Sequence, residues 1–274
     1  MKKGISRWSF KEGSYSEIFP FAKKLGFDGV EVTMDAAGDL TPETSEAGLL
    51  EIKKQAEDSG IELYSMAASL YWSYSLSSTD EEMRNKAKYV AKKQIEAAAI
   101  LGCDSVLIVP GAVKVDFAGA LGVTDYEDAY KYALESAREI APFAEEHKIN
   151  VGFENVWNRF LVTPREMKNF IDEVGNPYMG SYFDAGNVFP NGLPEQWIKI
   201  LGSRIKKVHI KDFHLGTKSF CDLLTGSVDF DTVMASLKEI GYDDWITAEM
   251  GCYKNHNDVM LYHTSMAMDK IMGR

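Results

Sequence analysis

Four ionisable residues, each directly after a short apolar run, are the strongest candidates for chemistry in this sequence. They are Glu154 in Val-Gly-Phe-Glu-Asn, Asp184 in Tyr-Phe-Asp-Ala-Gly-Asn, His209 in Val-His-Ile-Lys-Asp and Glu249 in Thr-Ala-Glu-Met. An apolar run that ends in one ionisable group is typical of a strand that carries the group to the edge of a sheet, because a charge inside the run would be desolvated without a partner. Three carboxylates and one imidazole suit a divalent ion such as Mn2+, Mg2+ or Co2+, with Zn2+ as an alternative.

Groups carried by four successive strands can converge only if the sheet closes on itself. The sequence supports closure, because it predicts eight strands separated by helical stretches, at about 3–9, 28–33, 61–67, 104–109, 149–155, 179–184, 205–210 and 245–249. Strands joined through helices pair in parallel by right-handed crossovers. We therefore predict an α/β fold, a (β/α)8 TIM barrel with its catalytic groups at the carboxyl ends of the strands. An open doubly wound sheet is the alternative.

Turn and cap motifs mark the ends of the predicted helices. A glycine, a polar turn and a strand follow one another three times, at 24–30, 100–106 and 239–245, as expected just past a helix end. Thr79-Asp80-Glu81-Glu82 predicts a capping box that opens a helix at 80–101. Thr163-Pro164-Arg165-Glu166 predicts another helix start, with proline at the first helical position.

Length and composition fit one barrel domain spanning residues 1–274. The chain has 274 residues, of which 45% are apolar, and about 250 residues are typical of the fold. The sequence shows neither a Pro/Ser-rich linker nor a change in composition that would separate two domains. The net charge of −11 disfavours nucleic acid and anionic membrane surfaces as partners.

Cysteine usage and hydropathy predict a cytoplasmic protein. The three cysteines lie at wide spacing and indicate neither a disulfide framework nor a CxxC metal site. The N-terminus lacks the apolar stretch of a signal peptide, and no apolar run is long enough to span a membrane. The sequence leaves open whether the chain forms a homo-oligomer.

Two glutamates facing each other beside a metal ion would allow proton transfer on a sugar. If a ketose binds the ion through its carbonyl and a neighbouring hydroxyl, the metal stabilises the enediolate formed when a carbon-bound proton leaves. Glu154 or Glu249 can remove that proton. The other glutamate can return it to the opposite face, which is epimerisation, or to the neighbouring carbon, which is aldose-ketose isomerisation.

Each candidate also has a structural alternative when it is considered alone. A glutamate at a strand end commonly caps a helix or forms an ion pair, and Glu31, after Gly-Phe-Asp-Gly-Val, has that alternative. His209, between Val208 and Ile210, could be a hydrogen-bonded core histidine. All four candidates in one pattern favour a shared site.

The sequence resembles the sugar phosphate isomerase/epimerase family with the xylose-isomerase-like barrel. Within that family it is similar to hexulose-6-phosphate isomerases and L-xylulose-5-phosphate 3-epimerases. The motifs that carry the resemblance are Glu154-Asn-Val-Trp-Asn-Arg-Phe160, Thr163-Pro-Arg-Glu-Met167, Tyr182-Phe-Asp-Ala-Gly-Asn187, Val208-His-Ile-Lys-Asp212 and Ala248-Glu-Met250. Residues 1–110 match only generically.

The resemblance implies roles for individual residues. Glu154, Asp184, His209 and Glu249 fall on the family's metal positions, for one divalent ion with Mn2+ expected first, and Glu154 and Glu249 also fall on its acid/base pair. Asn187 lies where ketose 3-epimerases of free sugars commonly have histidine, which leaves phosphorylated sugars and other polyols open. The expected substrate is therefore a small sugar or sugar phosphate. The candidate substrate-binding residues are Trp8, Trp72, Asn187, Arg159 and Lys211.

Lys211 and Asp212 follow the His209 strand and alternate in direction. If the strand persists, Lys211 points away from the His209 face and forms an ion pair on the barrel exterior or in a loop; if the strand ends before it, this does not hold. Asp212 returns to the inward face, where it is a candidate for supporting the metal ligands.

Two loops are suited to covering the site. The aromatic residues of 68–74 either stack on a sugar or pack against the outer helices, and the segment 212–229 is long enough to fold over the mouth of the barrel. Arg159, Lys114 and Lys218 are candidate phosphate partners, although exposed cations are commonly only solvated. A Gly-rich loop for a nucleotide phosphate is absent from the sequence.

Other functions compete with isomerisation. A lyase that dehydrates a keto-polyol such as a keto-inositol would use the same metal-stabilised enolate but expel a hydroxyl group. A retaining glycosidase needs carboxylates about 5 Å apart and no metal. That function would give Asp184 and His209 no role. A barrel endonuclease with three zinc ions needs several histidines, and this chain has five, of which His147, His256 and His263 fall on predicted helices or their ends. A non-catalytic sugar-binding protein would not require the two glutamates.

Overall fold

Eight parallel strands close into a barrel surrounded by helices. The computed structural model describes the backbone of residues 1–274 and all side chains except that of Ala120. The barrel strands are β1 (Lys2–Ser6), β2 (Gly29–Met34), β3 (Glu62–Ala68), β4 (Ser105–Ile108), β5 (Asn150–Glu154), β6 (Met179–Asp184), β7 (Ile205–Ile210) and β10 (Trp245–Ala248). They follow one another around the barrel in chain order, and β10 closes it against β1. The single-domain TIM barrel predicted from the sequence is confirmed.

Helices connect the strands and cover the outside of the barrel. They are α1 (Tyr15–Lys24), α2 (Glu46–Ser59), α3 (Glu81–Leu101), α4 (Tyr126–His147), α5 (Pro164–Val174), α6 (Ala185–Val188), α7 (Pro194–Leu201), α8 (Phe230–Glu239) and α9 (Asn257–Met272). A continuous apolar core lies between strands and helices. None of the helices in the described part of the chain has the length and apolar character needed to cross a membrane.

The predicted helix ends are mostly confirmed. Gly102, one of the three glycines predicted to follow a helix, has φ of 86° at the end of α3, a left-handed conformation that costs glycine little. At the start of α5, the Thr163 hydroxyl accepts from the Glu166 amide at 3.3 Å and the Glu166 carboxylate accepts from the Thr163 amide at 2.9 Å. The capping box at Thr79 is wrong: Asp80 caps α3 by accepting from the Glu82 amide at 2.8 Å.

The structure differs from the predicted strands in two places, after β1 and after β7. Residues Arg7–Ser9 form a short 3-10 helix, so β1 ends at Ser6 and Trp8 lies beyond the strand. After β7, a hairpin of two short antiparallel strands, β8 (Asp212–His214) and β9 (Ser219–Cys221), extends from the barrel. Three-residue strands are too short to show a clear alternation of apolar and polar residues, so the sequence predicts this segment only as a loop.

Candidate metal centre and active site

The four candidate residues converge at the carboxyl end of the barrel, as the sequence predicts. Glu154 and Asp184 are the last residues of β5 and β6, His209 lies in β7 and Glu249 follows β10 directly. Each offers one ligand atom, and these atoms all lie within 4.8 Å of one another. The cluster is compatible with one divalent metal ion.

Distances from the His209 ring show how closely the donors approach. The His209 Nδ1 atom lies 3.5 Å from Glu154 Oε1, 3.5 Å from Glu249 Oε2 and 4.0 Å from Asp184 Oδ2. Three side chains are almost fully buried, whereas the Glu249 side chain keeps 18% exposure. The centre is therefore closed on the barrel side and accessible beside Glu249.

Unpaired polar atoms test whether the cluster fits a metal ion. Glu154 Oε1, Asp184 Oδ2 and His209 Nδ1 are buried and make no hydrogen bond among the described residues, although Asp184 Oδ2 forms an ion pair with the Lys211 ammonium. Buried polar atoms in native proteins are nearly always paired, and each exception requires an explanation. Three oxygen donors and one nitrogen donor that face one another provide that explanation, because together they suit a divalent cation.

The backbone around Asp184 is fixed from two sides. Asn155 makes a reciprocal pair with it: the Asn155 Nδ2 amide donates to the Asp184 carbonyl at 2.9 Å, and the Asp184 amide donates to Asn155 Oδ1 at 2.9 Å. The Asn187 amide donates to Asp184 Oδ1 at 2.7 Å and so starts α6. Asp184 therefore caps a helix with one carboxylate oxygen and turns the other towards the cluster.

Burial and neighbouring charges shift the pKa values of Glu154 and Glu249 in opposite directions. Burial raises the pKa of Glu154 to about 7, although the neighbouring His209 ring opposes the shift. Burial also acts to raise the pKa of Glu249, but the charge of Lys211 and the neighbouring His209 ring outweigh it and lower that pKa. Around His209, burial favours the neutral ring, yet Glu31 and the other carboxylates outweigh it and raise the imidazole pKa.

Lys211 lies inside the site, which is the outcome that the sequence left open for a strand that ends before it. The strand β7 ends at Ile210, so the inward and outward alternation stops before Lys211. The Lys211 ammonium lies 3.1 Å from Asp184 Oδ2 and also forms an ion pair with Glu249 Oε2. Burial acts to lower the pKa of Lys211, but Asp184 and Glu249 outweigh it and raise that pKa.

Asp212 does not support the metal ligands as predicted. Its carboxylate accepts from the backbone amides of Phe213 at 2.8 Å, Gly226 at 2.8 Å and Val228 at 3.1 Å. These bonds tie the two ends of the segment 212–229 together. Asp212 therefore organises the covering loop.

Glu31 is a buried member of the site that the sequence left as a structural residue. The His209 Nε2 group donates to Glu31 Oε1 at 2.9 Å, and both side chains are fully buried. An apolar strand with one ionisable residue, the pattern that marks the other candidates, also surrounds Glu31 in Gly-Val-Glu-Val. That pattern could have marked it for the site.

A cavity of about 380 Å³ opens onto the cluster. Glu154, Glu249 and Lys211 form its polar floor. Its other lining residues include Trp8, Trp72, Trp157, Phe117, Phe220, Ser69 and Asn187. The volume lies in the range of small-molecule sites, in which apolar walls enclose a few polar groups.

Aromatic side chains from four loops line the mouth of this cavity. Phe220 of the hairpin stacks on Trp157 with ring centroids 4.7 Å apart, which confirms that the segment 212–229 folds over the mouth. Trp72 packs edge-on against Phe117 at 5.0 Å. Tyr71 instead points inward and donates to Gln94 at 2.8 Å, so the aromatic loop 68–74 serves both the cavity and the core.

The candidate phosphate partners lie outside this cavity. Arg159 and Lys218 line a neighbouring cavity of about 450 Å³, which shares Trp157 and Asn187 with the first. Asp116 pairs with Arg159 at 2.7 Å and with Lys114 at 2.8 Å. Of the five predicted substrate-binding residues, Trp8, Trp72, Asn187 and Lys211 line the site cavity and Arg159 lines its neighbour.

Comparison with known proteins shows the family to which the chain belongs. A sequence model of the family described as "Xylose isomerase-like TIM barrel" matches residues 19–268, and the chain belongs to that family. The L-ribulose-5-phosphate 3-epimerase UlaE of Escherichia coli (strain SMS-3-5 / SECEC) is 24% identical over 230 residues, which is 82% of this chain and 78% of that protein. The resemblance predicted from the sequence is confirmed at the level of the family.

Solved structures share the fold over the whole chain. D-psicose 3-epimerase from Clostridium cellulolyticum H10, solved with D-tagatose, matches with a TM-score of 0.81 at 20% identity, covering 100% of this chain and 99% of that chain. An L-ribulose 3-epimerase matches with a TM-score of 0.80 at 17% identity, covering 99% and 96%. The protein is thus a sugar isomerase/epimerase-like TIM barrel with a buried cluster compatible with one metal ion.

Proposed function

We propose that the protein is a metal-dependent isomerase or epimerase of a ketose or ketose phosphate. The observation that supports this most strongly is the position of Glu154 and Glu249. Both belong to the four-residue cluster and both line the cavity. Two carboxylates beside one cation, open to a cavity of sugar size, suit proton transfer to and from carbon.

The proposed reaction uses the glutamates as an acid/base pair. One of them removes a proton from the carbon next to the ketose carbonyl. The other returns a proton to the opposite face of that carbon or to its neighbour. A divalent ion, with Mn2+ as the first choice, is held by Glu154, Asp184, His209 and Glu249 and supplies positive charge that stabilises the negative charge developing on the sugar oxygens.

Other residues of the cavity are proposed to bind the sugar. Lys211 is placed to donate hydrogen bonds to hydroxyl or carbonyl oxygens while its ion pairs hold Glu249 in position. Trp8 and Trp72 offer apolar faces for the carbon skeleton and exclude water. Asn187 provides an amide at the boundary with the neighbouring cavity, where Arg159 is available to an anionic substituent.

The substrate class is proposed from the family and the relatives. The sequence motifs are similar to those of hexulose-6-phosphate isomerases and L-xylulose-5-phosphate 3-epimerases. The relative UlaE is an L-ribulose-5-phosphate 3-epimerase, and the structural neighbours include epimerases of unphosphorylated ketoses. Pentuloses and hexuloses, with and without a terminal phosphate, are therefore the first substrates to test.

Product identification with such a panel tests the proposal. The Mn2+-loaded enzyme is incubated with each ketose and each ketose phosphate, and the products are separated and identified. We expect a 3-epimer or an aldose of unchanged mass. A product lighter by one water, with the ultraviolet absorption of a conjugated carbonyl, would assign a dehydratase instead. Turnover of a glycoside by metal-free protein would contradict both assignments.

A further inference from the structure

Glu31 lies on the side of the His209 ring that faces away from the proposed ligands. Its Oε1 accepts the hydrogen on His209 Nε2 at 2.9 Å, whereas His209 Nδ1 points at Glu154 and Glu249. Resting on the metal site proposed above, we propose that Glu31 is a positioning residue: it fixes the His209 ring so that Nδ1 is the nitrogen that binds the ion.

A chain of buried side chains holds Glu31 in this orientation. The Ser65 hydroxyl donates to Glu31 Oε2 at 3.1 Å, and the Tyr182 hydroxyl donates to the same oxygen. Tyr182 also lies 3.1 Å from the Ser65 hydroxyl. Four strands of the barrel, β2, β3, β6 and β7, contribute these side chains, so the orientation of Glu31 is set by the sheet itself.

Packing as well as the hydrogen bond to Glu31 keeps the His209 ring from rotating. The Tyr182 ring packs edge-on against it, with ring centroids 4.6 Å apart. A 180° flip of the imidazole would exchange Nδ1 with Cδ2 and Nε2 with Cε1, so a carbon would face Glu31 Oε1 and the hydrogen bond would be lost. Such a flip would also break the geometry that points a ring nitrogen at the cluster.

The hydrogen bond selects the form of the imidazole that can bind a cation. A carboxylate only accepts, so in the neutral imidazole, the form that binds a metal, Nε2 carries the hydrogen and Nδ1 has the lone pair that a metal ligand needs. Nδ1 is also one of the buried atoms without a hydrogen-bond partner among the described residues. Carboxylates that orient metal-binding histidines in this way raise metal affinity, and their loss typically costs 10–100-fold.

Nitrogen NMR on the intact protein tests the orientation directly. Protein labelled with 15N-histidine is loaded with diamagnetic Zn2+, and the His209 signals are assigned by their loss in His209→Gln. We expect a hydrogen on Nε2 and a coordination shift on Nδ1. Coordination through Nε2 would overturn the proposal. The measurement needs no sugar, so its outcome is independent of whether the protein is an isomerase.

Variants of Glu31 test the role through Zn2+ affinity, measured by calorimetry. Glu31→Ala should bind Zn2+ about 10–100-fold more weakly. Glu31→Gln should lose less, because its amide oxygen accepts the same hydrogen bond from His209. Ser65→Ala should have an intermediate effect, and Glu62→Gln, an exposed glutamate on β3, should match the wild type.

A purely structural role for Glu31 predicts a different result. In that case the unfolding midpoint of metal-free Glu31→Ala would fall while its Zn2+ affinity stayed at the wild-type value, and the proposal would be overturned. If Glu31→Ala does not fold, the affinity of Glu31→Gln and the wild-type NMR experiment remain decisive.

Discussion

Asp184 has a structural role in addition to its proposed role as a metal ligand. Asp184 caps α6 with Oδ1 and turns Oδ2 to the cluster, and the Asp184 backbone pairs with Asn155. An asparagine at this position keeps an acceptor oxygen for the cap but replaces a negative charge by a neutral amide. Metal binding and folding can therefore be separated at this residue.

We expect Asp184→Asn to lose tight metal binding and remain folded. The variant removes one of the charged ligands while the helix cap survives. Calorimetric titration with Mn2+ measures the loss, and circular dichroism measures folding. Asp172→Asn, on a surface ion pair with Arg204, is the matched control and should bind normally. Undiminished affinity in Asp184→Asn would remove this residue from the ligand set.

The site residues that could be predicted from the sequence are those at the end of an apolar strand. Glu154, Asp184, His209 and Glu249 each end or nearly end an apolar run, and the barrel brings them together. The position of Lys211 stayed open in the sequence because its direction depends on whether β7 stops at Ile210, which alternation alone does not reveal. The same strand pattern surrounds Glu31 and could have marked it for the site, but its hydrogen bond with His209 joins two strands that are far apart in the sequence, which no local pattern reveals.

The turn after β6 packs closely against the turn after β7. A Cβ added to Gly186 in α6 would lie 2.6 Å from the Lys211 carbonyl oxygen. Real Cβ atoms do not approach an oxygen so closely, so one of the two turns would have to move. These turns carry Asp184 and Lys211, both of which contribute to the site.

We expect Gly186→Ala to destabilise the protein by about 1–3 kcal/mol through overpacking. It should also weaken metal binding, because the shift displaces the turn that Asp184 caps. Denaturant unfolding and Mn2+ titration measure the two effects. Gly119→Ala, where an added Cβ meets no described atom within 4 Å, is the control and should change neither. Wild-type stability in Gly186→Ala would show that the turns are not tightly packed.

Helices and barrel strands were predictable because their signals are local. The glycine junctions and the capping box at Thr163 specify helix ends through nearby residues. The N-cap of α3 is Asp80 and not Thr79, one residue later than predicted. Both residues of the motif Thr-Asp-Glu-Glu can cap a helix, so the motif alone does not decide between them. The hairpin of β8 and β9 depends on Asp212 contacts with Gly226 and Val228, and such long-range bonds leave no periodic pattern.

For the whole molecule, the barrel gathers the carboxylates of Glu154, Asp184 and Glu249, which outnumber the one ammonium group that the described residues place beside them, that of Lys211. Like charges in a buried site oppose folding, and a bound cation relieves this. Ion binding and the stability of the barrel are therefore expected to be linked.

We expect Mn2+ to stabilise the folded protein and EDTA to reverse the effect. At a free Mn2+ concentration 100 times the Kd, the free energy of unfolding should rise by about 2.7 kcal/mol. Thermal unfolding at several Mn2+ concentrations measures this linkage. EDTA should also abolish turnover, and Mn2+, Co2+ or Mg2+ should restore it. A metal-free preparation with full activity, verified by elemental analysis, would rule out the metal-dependent mechanism.

The most direct test of the proposed chemistry is turnover by Glu249→Gln in deuterated water. The amide can still offer an oxygen ligand but cannot accept a proton, so we expect substrate affinity to be largely kept and the rate to fall roughly 10^2-fold or more. The wild type should place deuterium on the carbon that changes configuration or oxidation level, and Glu62→Gln should behave like the wild type. Near wild-type turnover by Glu249→Gln on a converted sugar would contradict the account.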